Sequence, residues 1–156
     1  MRVSEAMSSD VRVANPEQTI CEAARIMSEI DAGVLPVGEN DRLVGMITDR
    51  DIAVRAVAED RPPSTKVREV MSREVLYCYE DQDLDEVAVN MGDEQVRRMP
   101  VVNREKRLVG ILSIGDLAQT TNATTAGRAV ADISSPGGQH SQSGSYASPS
   151  PRVQCT

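Results

Sequence analysis

At 156 residues, with a formal net charge of -7 and a pI near 4.8, the chain is long enough for one ordinary domain or for two small ones sharing a core. The acidic balance repels a phosphate backbone, no basic cluster interleaved with aromatics reverses it locally, and Phe and Trp are absent, so nucleic-acid binding is not expected. No apolar run approaches the roughly 20 residues that span a bilayer and Met1-Arg2-Val3-Ser4-Glu5 lacks a signal-peptide core, so no membrane association and a cytoplasmic location are expected.

In chain order, a short extended piece from Val11 to Ala14 precedes a helix that Thr19 can cap, with Glu22 at the capping-box position. Ile20, Ala23, Ala24, Met27 and Ile30 recur at helical spacing along it, a core stripe in which methionine serves as packing. Two apolar runs follow, Val34 to Val37 and Leu43 to Ile47, joined by Glu39-Asn40-Asp41, which is a hairpin pattern. The second run feeds a helix starting at Thr48, and the prolines of Asp60-Arg61-Pro62-Pro63-Ser64-Thr65 end it.

The same order then returns. Met7-Ser8 falls on Met71-Ser72, Val11 on Val75, Glu22 on Glu86, Met27 on Met91 and Pro36-Val37 on Pro100-Val101, a shift of 64 that becomes 65 from Leu43-Val44-Gly45 onward. This is a tandem duplication of one strand-helix-strand-strand-helix unit. In the second copy Val75 to Cys78 leads to a helix capped by Asp83 and carrying Leu84, Val87, Ala88 and Met91. The hairpin Met99 to Val102 and Leu108 to Leu112 follows, turning at Asn103-Arg104-Glu105-Lys106, and then a helix from Ser113. The expected division is residues 1–62, 63–122, a short helix and turn over 123–138, and a disordered Ser-, Gly- and Pro-rich tail over 139–156. Ala126, Ala129, Val130 and Ile133 form the buried face of that short helix, which Pro136-Gly137-Gly138 would stop.

The most informative stretch is Leu43-Val44-Gly45-Met46-Ile47-Thr48-Asp49-Arg50-Asp51, which recurs as Leu108-Val109-Gly110-Ile111-Leu112-Ser113-Ile114-Gly115-Asp116. A buried strand turns directly into a helix, with a hydroxyl at the N-cap and a carboxylate at N3. One reading is a capping box in which nothing binds. The other is a nucleotide site, where helix terminus and hydroxyl attract phosphate and the carboxylate accepts both hydroxyls of a ribose. Cys21, Cys78 and Cys155 are odd in number and far apart, and His140 lies alone in the polar tail. Neither a disulfide framework nor a metal site is suggested.

Two such units, each opening near Val-x-x-x-Met-Ser and closing on Gly, two apolar residues, Thr or Ser, two further residues and Asp, resemble a tandem pair of cystathionine β-synthase (CBS) domains over about Val3 to Gln119. Val67-Arg68-Glu69-Val70-Met71-Ser72 and Val96-Arg97-Arg98-Met99-Pro100-Val101-Val102 match common spellings of that family's motifs. The resemblance implies a mixed α/β (α+β) fold whose two units pack about a pseudo-twofold. It implies a stand-alone regulatory module that takes AMP, ADP or ATP, or less readily S-adenosylmethionine or NAD, and acts on an unidentified protein partner.

Carried over by position, Asp51 and Asp116 would hold ribose hydroxyls, and Thr48 and Ser113 the phosphate or ribose edge. Val34, Pro36, Met99 and Pro100, with Val13 and Tyr77, would flank the adenine, and Arg97 and Arg98 would face phosphates. Arg50 stands opposite Gly115 in the alignment, and Gly33-Val34 opposite Arg97-Arg98, so the two sites are not equivalent. No catalytic cysteine loop, phosphate-binding glycine-rich loop or metal cluster is recognisable, and no catalytic activity or required cofactor is expected. Family members associate through the helices of each unit. The helices from Thr48 and Ser113 carry Ile52, Val54, Val57 and Leu117, which leads to the expectation of a homodimer.

Overall fold

In the computed structural model, which describes residues 1–120 and 123–135, both repeats adopt the expected order. In the first, α2 (Ile20–Ile30) leads to the hairpin β1 (Val34–Glu39) and β2 (Arg42–Thr48), then to α3 (Asp49–Asp51), after a one-turn opening helix α1 (Val3–Ala6). In the second, β3 (Cys78–Tyr79), α4 (Leu84–Glu94), β4 (Arg98–Val102), β5 (Leu108–Ser113) and α5 (Ile114–Thr120) follow in turn, and α6 (Ala123–Ile133) ends the described chain. Thr19 and Asp83 cap α2 and α4, their side chains accepting from the N–H groups of Glu22 and Asp85, and Asp31 and Gln95 end them in the left-handed conformation. The first hairpin turns at Asn40 and Asp41, both with positive φ, 55° and 63°, as a tight two-residue turn requires.

The packed units do not coincide with the sequence repeats. One takes in Arg12–Val75, and the other Met1–Val11 together with the described residues from Leu76 to Ser135. In the first unit, Val67 and Val70 are fully buried with Ala14, Ile20, Ala23, Leu35, Val37 and Ile47, and Ser72 exchanges backbone hydrogen bonds with Met46 at the free edge of β2. In the second unit, Val3 and Ala6 are buried with Leu84, Val87, Met91, Val101 and Leu112, and Ser8 bonds in the same way to Ile111 on β5. The opening segment of each repeat thus closes the sheet of the other. The glycine of each hairpin, Gly45 and Gly110, makes this possible. A Cβ on Gly45 would meet the Met71 sulfur and the Ser72 carbonyl oxygen at 2.8 Å, and one on Gly110 would meet the Met7 sulfur at 2.5 Å and the Ser8 oxygen at 2.9 Å.

Some expectations need correction. The first extended pieces pair only at their ends: Ala14 bridges Val37, and Cys78–Tyr79 lies parallel to Val101–Val102. Ala88 is buried but its counterpart Ala24 is exposed, because α6 packs on α4 and its terminal carbonyls at Asp132 and Ser135 accept from the Gln95 side chain. On α6 itself Ala126 and Ala129 are buried, whereas Val130 is exposed and Ile133 half-buried. Leu117 is fully buried in its own unit's core and offers no surface for association. The chain after α3 continues as a π-helical turn, Ile52–Ala56, and a 3-10 turn, Val57–Glu59, before Asp60 reverses it. The tail 139–156, Pro136-Gly137-Gly138, His140 and Cys155 lie outside the described residues.

Candidate functional site

Strand register decides which side chains share a face, because alternate residues point the same way. In the first unit Val34 pairs with Thr48 and Pro36 with Met46, while Leu35, Val37 and Ile47 fill the core. Val34, Pro36 and Thr48 therefore lie on the face away from the core. Ala14 bridges Val37 on the core side, so Val13 falls on the same outer face, where its Cγ1 sits 2.8 Å from the place a Cβ on Gly38 would occupy.

The second unit repeats the pattern. Arg98 pairs with Ser113 and Pro100 with Ile111, while Cys78, Met99, Val101 and Leu112 are core residues. Arg98, Pro100, Ser113 and Tyr77 thus share the outer face, and Met99, 4% exposed, lies on the opposite one. Arg97 and Arg98 are both exposed, and Arg97 lies one residue before β4.

At the end of each hairpin the hydroxyl and carboxylate meet as the capping box requires. The Thr48 N–H donates to Asp51 Oδ2 at 3.0 Å and the Asp51 N–H to Thr48 Oγ1 at 2.9 Å. The Ser113 N–H donates to Asp116 Oδ2 at 2.8 Å and the Asp116 N–H to Ser113 Oγ at 3.1 Å. A further backbone bond pins each turn: Asp49 N–H to the Gly33 carbonyl and Ile114 N–H to the Arg97 carbonyl, both 2.9 Å. A Cβ on Gly33 would meet Asp49 Oδ2 at 2.6 Å, a side-chain end that must turn aside to admit it. Each cap occupies one carboxylate oxygen and leaves the hydroxyl proton undirected. Capping and recognition of a diol are consequently compatible: the cap aims the carboxylate, whose two oxygens carry about four acceptor positions.

A cluster that sequence reasoning did not single out supports Tyr77. Arg104 donates to both oxygens of Asp81 at 2.8 Å and stacks 4.2 Å above the Tyr79 ring, and Tyr79 meets Tyr77 edge to face at 5.8 Å between centroids. The Arg104 guanidinium holds the Asp81 carboxyl below the usual range, and Asp81 in turn raises Arg104. Among the described residues no group of three or more His, Cys, Asp or Glu side chains is placed to hold a metal ion, and no helix is long and apolar enough to cross a membrane.

Comparison with known proteins agrees with this architecture. The CBS domain family model matches residues 3–57 and 67–121. The CBS domain-containing protein YhcV of Bacillus subtilis is 42% identical over 134 residues, which cover 85% of this chain and 94% of that protein. The crystal structure of Hypoxic Response Protein I with two coordinated zinc ions superposes with a TM-score of 0.71 at 34% identity, over 78% of this chain and 100% of that one. The CBS domain pair of protein MJ0100, solved in complex with 5′-methylthioadenosine and S-adenosyl-L-methionine, gives a TM-score of 0.67 at 32% identity over 76% of this chain and 94% of that one. The chain therefore belongs to the CBS domain family and carries two CBS domains in tandem.

Proposed function

We propose that this CBS pair is a non-catalytic cytoplasmic sensor that binds an adenosine-type ligand, AMP, ADP or ATP foremost, and transmits its occupancy to a protein partner. The observation that carries the reading is the hydroxyl and carboxylate arrangement built twice, each time at the end of a hairpin whose outer face adds apolar residues. Thr48 shares the outer face with Val13, Val34 and Pro36 in one unit, and Ser113 with Tyr77 and Pro100 in the other, and the caps hold Asp51 and Asp116 beside the two hydroxyls. In each carboxylate Oδ2 serves the cap and Oδ1 is the acceptor for a ribose hydroxyl, beside Arg55 in Asp51 and without a cation among the described residues in Asp116. Arg97 and Arg98 supply cations for phosphate in the second unit, where charge-assisted hydrogen bonds are the strong ones. That protein MJ0100 holds two adenosine derivatives in its CBS pair supports the ligand class.

The competing reading, a structural module with caps alone, is favoured by the reciprocal hydrogen bonds that close both capping boxes. Asparagine separates the two, because it still accepts from the cap N–H but loses the charge and one acceptor oxygen. The Asp51→Asn, Asp116→Asn double variant is expected to keep its unfolding midpoint and to bind AMP about tenfold or more weakly by calorimetry, the scale of one lost hydrogen bond to a charged group. Retained affinity would place the ligand elsewhere. S-adenosylmethionine, ADP, ATP and NAD titrated in parallel identify the preferred member of the class.

A further inference from the structure

The two junctions differ at one side chain that the motif does not include. Arg55 stands where the second repeat has Thr120. Its Nη1 donates to the carbonyls of Val70 and Met71 at 3.2 and 3.3 Å, and its Nε faces Asp51 Oδ1 at 3.9 Å. Asp51 is well covered, with 19% of its side chain exposed. Oδ2 therefore accepts from the Thr48 N–H, and Oδ1 faces the guanidinium in a long ion pair. In the second unit Thr120 instead turns its hydroxyl to the backbone carbonyl of Asp116 at 2.6 Å, and Asp116 Oδ1 meets no cation among the described residues. The backbone differs in step: α5 is regular, whereas the chain from Ile52 to Ala56 winds as a π-helical turn, a feature that accumulates at functional sites.

Resting on the ligand class proposed above, we propose that Arg55 is the residue that makes the two sites unequal. It lowers the affinity of the Asp51 junction for a ribose diol, so that the Asp116 junction fills first. A guanidinium facing Oδ1 competes with a hydroxyl for that acceptor. Arg55 cannot swing aside without giving up its bonds to two carbonyls, so a diol at Asp51 Oδ1 must displace or crowd it. A lone exposed ion pair contributes little, but this one is anchored at its other end, which limits its freedom to yield.

The test uses single-site backgrounds of the full chain with AMP as titrant. In an Asp116→Asn chain, which leaves only the Asp51 junction intact, Arg55→Ala is expected to tighten AMP binding about fivefold, the scale of one modest ion pair. In an Asp51→Asn chain the same change is expected to leave AMP affinity unaltered. Arg55→Gln, which keeps a donor for the carbonyls without the charge, is expected to reproduce the tightening if Arg55→Ala fails to fold. Unchanged or weaker binding in the Asp116→Asn background, or an equal change in both backgrounds, overturns the role of Arg55 while leaving the ligand class standing. Absence of AMP binding by the wild type removes both.

Discussion

Cys78 sits in the core of the second unit, with its Sγ 3.8 Å from the Pro100 carbonyl and its thiol pushed up to about 12 by burial. The folded protein thus keeps this proton where the unfolded chain, with an ordinary value of 9.0, gives it up. Its contribution to stability is complete below that value and is lost as the pH rises from about 9 toward about 12. At pH 8 Cys78 is expected to resist iodoacetamide while the half-buried Cys21 reacts, and denaturant is expected to abolish the difference. Equal labelling in the folded protein would contradict the burial.

At this scale the sequence was legible where a relation is local. Thr48 with Asp51 and Ser113 with Asp116 are three residues apart, and helical geometry alone joins them. Arg104 with Asp81, 23 residues apart, and Arg55 with the Val70 and Met71 carbonyls depend on how loops approach one another, which no spacing rule contains.

Among elements, periodicity identified the stripes of α2 and α4, and turn chemistry identified both hairpins. Ala24 and Ala88 look alike in sequence and differ in burial only because α6 covers one helix, a tertiary fact. The glycines of the two hairpins have a reason that periodicity does not supply, the close approach of a methionine and a backbone carbonyl. Gly45→Ala and Gly110→Ala are each expected to destabilise by about 1–3 kcal/mol, the usual cost of overpacking. Gly127→Ala in α6, where a Cβ meets nothing within 4 Å, is expected to stabilise by about 0.5–1 kcal/mol. Urea unfolding midpoints distinguish these; a neutral Gly110→Ala variant would mean that Met7 and Ser8 yield freely.

For the whole molecule, the duplication was visible as a constant shift, and with it the two-unit architecture. The pairing of each opening segment with the opposite repeat's sheet was not, since strand partners are chosen by non-local contacts. The homodimer proposed for this chain would rest on Val54 and Val57, 50% and 60% exposed on the stretch after α3, a smaller apolar surface than expected now that Leu117 belongs to the core. A homodimer built on them is expected to give twice the chain mass by light scattering at micromolar concentration, and Val57→Asp is expected to shift that mass toward the monomer. A monomer mass for the wild type would refute it.

The exchanged opening segments also order events in time. All of Arg12–Val75 is one continuous stretch, so that unit can close as soon as Ser72 reaches Met46. The other cannot, because Ser8 must find Ile111 about a hundred residues later, and closing so long a loop is slow. During synthesis Val3 and Met7 emerge about a hundred residues before Ile111, and they stay exposed until that strand has been made.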